Sequence, residues 1–212
     1  MRVFIMSIFS NPASSTPADT AAYVAALLHL LGDNDPVVVL RETPAAVERL
    51  LETTPAQIAT RPEAPGKWSI RDVIQHLADS ELVGGFRLRM VLAHDRPPLA
   101  GYDQDLWASR LRYRDVDVRD AFEQFTVLRR ANVRLWENLT ADDLVRVGLH
   151  GERGEESLEH MRRLYAGHDL LHRQQLERIR AALLPVTCLT RTAPDTHERR
   201  RGSVRRATRH KE

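Results

Sequence analysis

Apolar residues recur every three or four positions along several long segments of the chain, the spacing that places them on one face of an α-helix. In the segment around residues 118–139 they are Val118, Ala121, Phe122, Phe125, Leu128, Leu135 and Leu139. Residues 158–183 show the same rhythm with Leu158, Met161, Leu164, Tyr165, Leu176, Ile179 and Leu183. Alternating runs typical of strands are scarce. The pattern predicts an all-α protein built as a four-helix bundle.

Capping signals predict where each helix begins. TPAD at residues 16–19 opens an extra N-terminal helix around residues 21–31, and SIRD at 69–72 opens a long helix over 70–93. The pair Thr43-Pro44 opens a helix over residues 45–51, and DVRD at 117–120 opens the helix over 121–139. Glu155 and Glu156 carry the negative charge that suits the N-terminus of the last long helix, which Pro185 ends.

The connection between the second and third bundle helices, residues 94–115, is long and contains Pro97, Pro98 and Gly101. At roughly 3.3 Å per residue such a segment can reach on the order of 70 Å, enough to return along the bundle. The second and third helices can therefore run parallel. The expected order is up-down-down-up, with a short helix at residues 104–111 within the crossover.

Composition narrows the class of protein. A chain of 212 residues supports one sizeable core, and no apolar run approaches the roughly 20 residues that span a bilayer. We therefore expect no membrane association and a cytoplasmic protein, whose true start could be Met1 or Met6. Cys188 is the single cysteine, so a thiolate-rich zinc site is excluded and any metal must be held by nitrogen and oxygen.

Charge is distributed unevenly. Residues 185–212 contain eight basic and three acidic residues, which gives this segment a formal charge of +5. The whole chain has a formal net charge of +2, so residues 1–184 carry −3. With few apolar residues, the segment is predicted to be a disordered tail. The expected organisation is an N-terminal extension with an amphipathic helix at 1–36, the four-helix bundle at 37–184 and the basic tail at 185–212.

Two histidines offer candidate chemistry. His168 and His172 lie four residues apart on one face of the last helix, beside its apolar stripe, where two imidazoles can share an ion. A hydrogen-bonded or partly exposed pair would show the same spacing. His76 lies near the start of the second bundle helix, which runs antiparallel to the last one in the expected topology. His76 can then face His172 across the core.

The runs GKWSI at 66–70, HLADSE at 76–81 and GHDLLHRQQL at 167–176 resemble those of the DinB-like (DinB/YfiT-like) metalloenzyme superfamily, over about residues 43–184. The resemblance implies that His76, His168 and His172 bind one divalent metal ion. Zinc and nickel are the preferred candidates for that ion, and iron and manganese are the next. It also implies a transferase that activates a low-molecular-weight thiol, such as bacillithiol or mycothiol, or water, and a homodimer. Three imidazoles leave a coordination position open, as in catalytic sites.

Other residues near these motifs are candidates for supporting roles. Asp169 and Glu81 are candidate catalytic groups, and an imidazole ligand usually donates its other N–H to a carboxylate or carbonyl. Three aspartates are candidates for that role: Asp72, which also fits the helix cap; Asp79; and Asp169, which could instead face solvent.

Glu81 and Gln175 could line the pocket. His150 or Arg153 could contact an anionic substrate, although a capping loop explains the same residues; Tyr165 is assigned to the core. Gly84-Gly85 indicates close helix approach or room beside a pocket.

Three other functions fit parts of the sequence. HDLLH at 168–172 imitates the H-E-x-x-H arrangement of zinc hydrolases, with Asp169 in place of the general-base glutamate. A metal-stabilised stress or interaction protein without turnover would need the same ligands. The arginines at 199–201 and 205–206 could neutralise nucleic-acid phosphates, but no folded recognition motif accompanies them, so a solvated tail is favoured.

Overall fold

The computed structural model describes residues 16–184, so the expected basic tail lies outside the described residues. Its helices are α1 (Pro17–Leu31), α2 (Pro36–Glu52), α3 (Ala56–Ala59), α4 (Ile70–Ala93), α5 (Gln104–Arg110), α6 (Val118–Glu137), α7 (Ala141–Leu144) and α8 (Leu158–Leu183). The strands are β1 (Pro98–Leu99), β2 (Val147–His150) and β3 (Gly154–Ser157). The predicted capping boxes form at Thr16 and Ser69.

Helices α2, α4, α6 and α8 form the bundle, and α4 runs parallel to α6. Near the start of both helices, Gln75 Nε2 donates to Gln124 Oε1 over 3.2 Å. Further along both, Arg89 Nη1 donates to Asn132 Oδ1 over 2.9 Å. The order of these contacts confirms the parallel pair that the long crossover allows.

The other two bundle helices run in the opposite direction. Arg41, early in α2, pairs with Glu137 at the end of α6, 2.6 Å between Nη2 and Oε1. Arg180, late in α8, donates to the hydroxyl of Thr53, directly after α2, over 2.9 Å. Helices α2 and α8 are therefore parallel to each other and antiparallel to the central pair, which confirms the up-down-down-up order.

The first bundle helix begins seven residues before Thr43, and the expected start there was wrong. Asp35 is the N-cap, and its Oδ1 accepts from the amide of Val37 over 2.8 Å. Pro44 stands inside α2 and has no N–H to donate to the carbonyl of Leu40. Arg129 Nη1 donates to that carbonyl instead, over 2.8 Å. A side chain from α6 thus satisfies the acceptor that proline leaves free.

The last long helix also begins later than expected. Glu155 and Glu156 belong to strand β3, and α8 starts at Leu158 with Ser157 as its N-cap. The sheet has the order β1-β2-β3, with β1 parallel to β2 and β2 antiparallel to β3. Glu156 is buried because Arg153 holds its carboxylate with two bonds, of 2.5 and 2.8 Å. This ion pair compensates the buried charge of Glu156, so the charged segment can pair with β2 as a strand.

The apolar core forms two clusters. One packs around Ile74, Phe125 and Leu176, and the other around Leu88, Trp136 and Leu158. Along α4, α6 and α8, buried polar residues come between the positions that belong to the two clusters. Within the described residues no single helix is long and apolar enough to cross a bilayer; one helix pair, Ala18–Leu31 with Pro36–Glu52, passes by length and composition but bends by 83°.

Candidate metal centre

Three imidazoles from α4 and α8 converge between the two apolar clusters. The Nε2 atom of His168 lies 3.1 Å from Nε2 of His76 and 3.0 Å from Nε2 of His172. His76 is 1 % exposed and His172 is 7 % exposed. The expected meeting of the early part of α4 with the second half of α8 is thus confirmed, and these three side chains form a group able to hold a metal ion.

The nitrogens also have the right chemistry for a cation. Gln175 Oε1 lies 2.7 Å from Nδ1 of His172, and because an amide oxygen only accepts, Nδ1 carries the proton and Nε2 presents its lone pair. Two nitrogens bound to one ion at 2.0–2.1 Å are roughly 2.8–3.4 Å apart for bond angles of about 90–110°. The observed separations fit that range. One proton on His168 cannot make good hydrogen bonds to both neighbours, whereas a central cation satisfies all three.

Burial keeps the cluster neutral. Removal from water lowers the pKa of His76 and of His168 well below the usual value of 6.5, and the neighbouring imidazoles lower both further. Burial likewise lowers the pKa of His172 to about 4, against the opposing effect of Gln175. All three rings are therefore unprotonated at neutral pH, which is the form that binds metal.

Trp68, from the GKWSI run, packs against the cluster. Its ring centroid lies 5.0 Å from that of His76 and 6.5 Å from that of Tyr113. Tyr113 donates to Asp79 Oδ2 over 2.5 Å. Burial raises the pKa of the Asp79 carboxyl, although the bonds from Tyr113 and Gln75 lower it. Asp79, expected near His76, is thus engaged by these two groups.

The two predicted catalytic carboxylates, Asp169 and Glu81, both bind the guanidinium of Arg129. Arg129 Nη2 donates to Asp169 Oδ1 over 2.8 Å and to Glu81 Oε1 over 2.9 Å, and Asn132 Nδ2 donates to Glu81 Oε2 over 2.9 Å. Burial lowers the pKa of Arg129, but the two carboxylates raise it more. Asp169 is 1 % exposed, so the alternative that it faces solvent was wrong. The group carries a formal charge of −1 beside the histidines.

The remaining candidates occupy distinct places. Asp72 accepts from the amide and hydroxyl of Ser69, 2.9 Å each, and completes the cap of α4. Gln175, expected as a pocket residue, is the group that bonds His172. Of the two roles expected for Gly84, room beside a pocket is the one found, since a Cβ there would lie 2.6 Å from the ring of Tyr165, a residue that lines the cavity described next.

A cavity of about 90 Å³ extends from His76 and His168 toward the β-hairpin. His150 and Arg153 line it, as the hypothesis of an anion contact requires, and so does Tyr165, which also packs on the apolar core. Arg87 lines the same cavity and was not predicted from the sequence. The sequence did contain a signal for Arg87, because it follows His76 by eleven residues and such a spacing places two residues on nearly the same face of a helix.

The fold and the histidine cluster together define a class of helical bundle with a candidate metal centre. Residues 40–176 match the family model of the DinB superfamily. The match spans more than half of the chain, and the chain belongs to the DinB superfamily.

Several relatives extend this comparison. The BH0277 protein of Halalkalibacterium halodurans is 29 % identical over 119 residues, 55 % of this chain and 69 % of that protein. YfiT of Bacillus subtilis is 28 % identical over 138 residues, 64 % of this chain and 77 % of YfiT. Both are provisionally named metal-dependent hydrolases. The solved structure of YfiT, described as an unusual four-helix bundle, aligns with a TM-score of 0.60 at 22 % identity and covers 78 % of this chain and 89 % of its own. The two proteins share the fold.

Proposed function

We propose that this protein binds one divalent metal ion through His76, His168 and His172 and uses it to activate a small nucleophile toward a small-molecule substrate. The convergence of three neutral imidazoles on one point, those of His76 and His172 buried and that of His168 half-buried, carries the proposal. The −1 charge on the group of Arg129, Asp169 and Glu81 favours a cation nearby. Zinc or nickel suits imidazole ligands best, and iron or manganese is the next choice.

The nucleophile we favour is a low-molecular-weight thiol, which makes the protein a transferase. When bound, a divalent ion lowers the pKa of a thiol or a water so that either ionises near neutral pH. Neutral imidazoles hold such an ion without cancelling its charge, and Trp68 covers one side of the site. In the transfer, the sulfur forms a bond to an electrophilic carbon, the leaving group departs with the electron pair, and the thiol proton goes to solvent.

The hydrolase interpretation is the second candidate, supported by the names of the relatives. It needs a base for the attacking water, and Asp169 is the residue that the H-E-x-x-H comparison offers. Both oxygens of Asp169 are bound to Arg129, which makes that role unfavourable. The same contacts make Asp169→Ala an ambiguous test, because leaving Arg129 without a partner would destabilise the fold. Thiol activation at the metal site does not require this carboxylate.

Three expectations remain predictions: a cytoplasmic location, a homodimer, and a solvated tail at residues 185–212. Sedimentation of the full chain would test the dimer. Comparing DNA binding with and without the tail, at several salt concentrations, would test the nucleic-acid alternative, since phosphate contacts weaken as salt rises.

Metal analysis of the purified chain is the primary experiment. We expect about one zinc or nickel per wild-type chain, little in His168→Ala, and wild-type content in the matched control His29→Ala, because His29 is exposed. Chelation should lower the melting temperature of wild type and of the control only, since an ion at 100 times its Kd adds about 2.7 kcal/mol. Equal metal content in His168→Ala and wild type would contradict the site.

Product analysis then separates the two reactions. The metal-loaded protein is incubated with an alkyl halide or epoxide, with and without bacillithiol, mycothiol or cysteine. A thioether that forms only with thiol and metal supports the transferase, whereas thiol-independent hydrolysis supports the hydrolase. Metal-dependent melting without either product would support the non-enzymatic interpretation.

A further inference from the structure

Arg87 is a buried cation in the cavity beside the histidine cluster. Its side chain lines the cavity, the residue is 6 % exposed, and it has no carboxylate partner within residues 16–184. The guanidinium donates to the carbonyl of Ala100 and to the hydroxyl of Tyr165, the latter over 3.4 Å, and its Nε has no partner among the described residues. Burying a charge without a counter-charge is unfavourable, so it is expected where a ligand supplies the opposite charge.

The two other arginines of this region, of which Arg129 is buried and Arg153 half-buried, are compensated. Arg129 is held by two carboxylates and Arg153 by Glu156. Glu152 also lines the cavity, but it is an exposed residue on the hairpin that forms no ion pair with Arg87 in the described part of the chain. Arg87 therefore contributes the uncompensated positive charge of the cavity wall.

His150 supplies a second donor. Its Nδ1 accepts from the amide of Glu152 over 3.2 Å, which places the ring proton on Nε2. This Nε2 is buried and has no acceptor among residues 16–184. Burial, with the nearby Arg153 and Arg87, lowers the pKa of His150 to about 4, so the ring donates one hydrogen bond as a neutral group. Within residues 16–184, Arg87 and His150 both line the cavity and each carries a donor without a partner, a pattern suited to a ligand rich in acceptors.

The position of Arg87 relative to His76 indicates how far such a ligand must extend. It follows His76 by eleven residues on nearly the same face of α4, about 16 Å along the helix axis. Side chains on a helix lean toward its N-terminus, which brings the guanidinium closer to the histidines. Gly84 lies between the two residues and leaves room for the ring of Tyr165 against α4. The cavity thus joins the end lined by Arg87 and His150 to the histidine end.

We propose that Arg87, together with His150, binds an oxyanion of the substrate, a carboxylate or a phosphate, while the reacting atom of the same molecule lies at His76, His168 and His172. The assignment of the reacting end rests on the proposed function. The anion site itself stands on Arg87, His150 and the cavity, and it is testable without turnover.

Calorimetric titration with acetate and with inorganic phosphate tests the site, with acetamide as the neutral counterpart of acetate. Metal-loaded and chelator-treated full-length protein are both used. We expect acetate or phosphate to bind both forms, acetamide to bind neither, and Arg87→Met to weaken anion binding at least about tenfold. Arg130→Met, on the exposed face of α6, is the control for charge loss and should bind as wild type does. The preferred anion identifies the substrate group.

Stability gives an independent readout. Because Arg87 has no counter-ion among residues 16–184, Arg87→Gln, which keeps a donor for the carbonyl of Ala100, should melt no lower than Arg130→Met, whereas loss of an arginine that a carboxylate holds would lower the melting temperature. If Arg87→Met does not fold, Arg87→Gln keeps a donor for the carbonyl of Ala100 without the charge. Unchanged anion affinity in the folded Arg87 variant would overturn the proposal.

His168→Ala separates this proposal from the metal site. Anion binding that persists in a His168→Ala protein devoid of metal supports the Arg87 site. Anion binding that disappears there and after chelation would place the anion on the metal and overturn it. Wild-type protein that binds anions through Arg87 but never retains metal would contradict the proposed function alone.

Discussion

Gln175 fixes the tautomer of His172 with one hydrogen bond of 2.7 Å. Groups that orient imidazole ligands contribute about ten- to hundredfold to metal affinity. Gln175→Leu should therefore weaken metal binding by that factor in a competition assay with a chelating dye. Gln174→Leu, one residue earlier and exposed, makes the same chemical change away from the cluster and should retain wild-type affinity. Equal affinities for the two variants would show that the bond to Gln175 does not matter.

The residue scale also explains why the candidate carboxylates were hard to assign. Asp169 is next to His168 in sequence, but adjacent helical residues point about 100° apart. Its carboxylate therefore reaches Arg129 on α6. The partner is 40 residues away, and no local pattern relates the two positions. Gln175, three residues after His172, lies on the face that can reach the ring.

Among the elements, α1 and α8 approach each other closely at Gly167. A Cβ at this position would lie 2.2 Å from the carbonyl oxygen of Leu27, which belongs to the backbone of α1 and cannot rotate away. Gly167→Ala should lower the free energy of unfolding by about 1–3 kcal/mol, despite the better helix propensity of alanine. Chemical denaturation measures the change.

The control for this substitution is Gly151→Ala in the hairpin. A Cβ at Gly151 has no neighbour within 4 Å among residues 16–184, and the φ of Gly151 is not in the left-handed region. Its free energy of unfolding should stay within about 0.5 kcal/mol of wild type. A Gly167→Ala protein as stable as this control would mean that α1 does not pack on α8 as described.

Over the whole molecule, buried neutral histidines make stability depend on pH. Burial lowers the pKa of His150 to about 4, below the unfolded value of 6.5. The unfolded chain then binds more protons between these values, so the stabilising contribution is complete above about pH 6.5 and is lost as pH falls toward 4. The metal-free protein should melt at progressively lower temperature through this range.

Substitution isolates the part due to His150. His150→Gln should flatten the dependence of melting temperature on pH between about 6.5 and 4, and His29→Gln, at an exposed position, should leave it unchanged. Identical profiles for the two variants would show that His150 titrates as freely in the folded state as in the unfolded state.

Local sequence determined the helices with strong caps and regular apolar stripes, because these signals act within one or two turns. Ser69 with Asp72 marked the start of α4 correctly. Thr43-Pro44 imitated a cap, yet the helix continues because Arg129 from another helix takes up the free carbonyl of Leu40. Strand β3 likewise depends on the pairing of Glu156 with Arg153 and on its neighbouring strand. Contacts made after folding override weak local preference.

The spacing of the histidines allowed His76, His168 and His172 to meet across an antiparallel helix pair, and the resemblance of their motifs to the DinB-like superfamily was needed to predict them as one ligand set. The tertiary structure alone decided which polar groups they share the core with. Asp169 and Glu81 pair with Arg129, while Arg87 lines the cavity without a counter-ion in the described part of the chain. Buried charges must be compensated by whatever lies within a few ångströms, and those neighbours come from helices far apart in the chain.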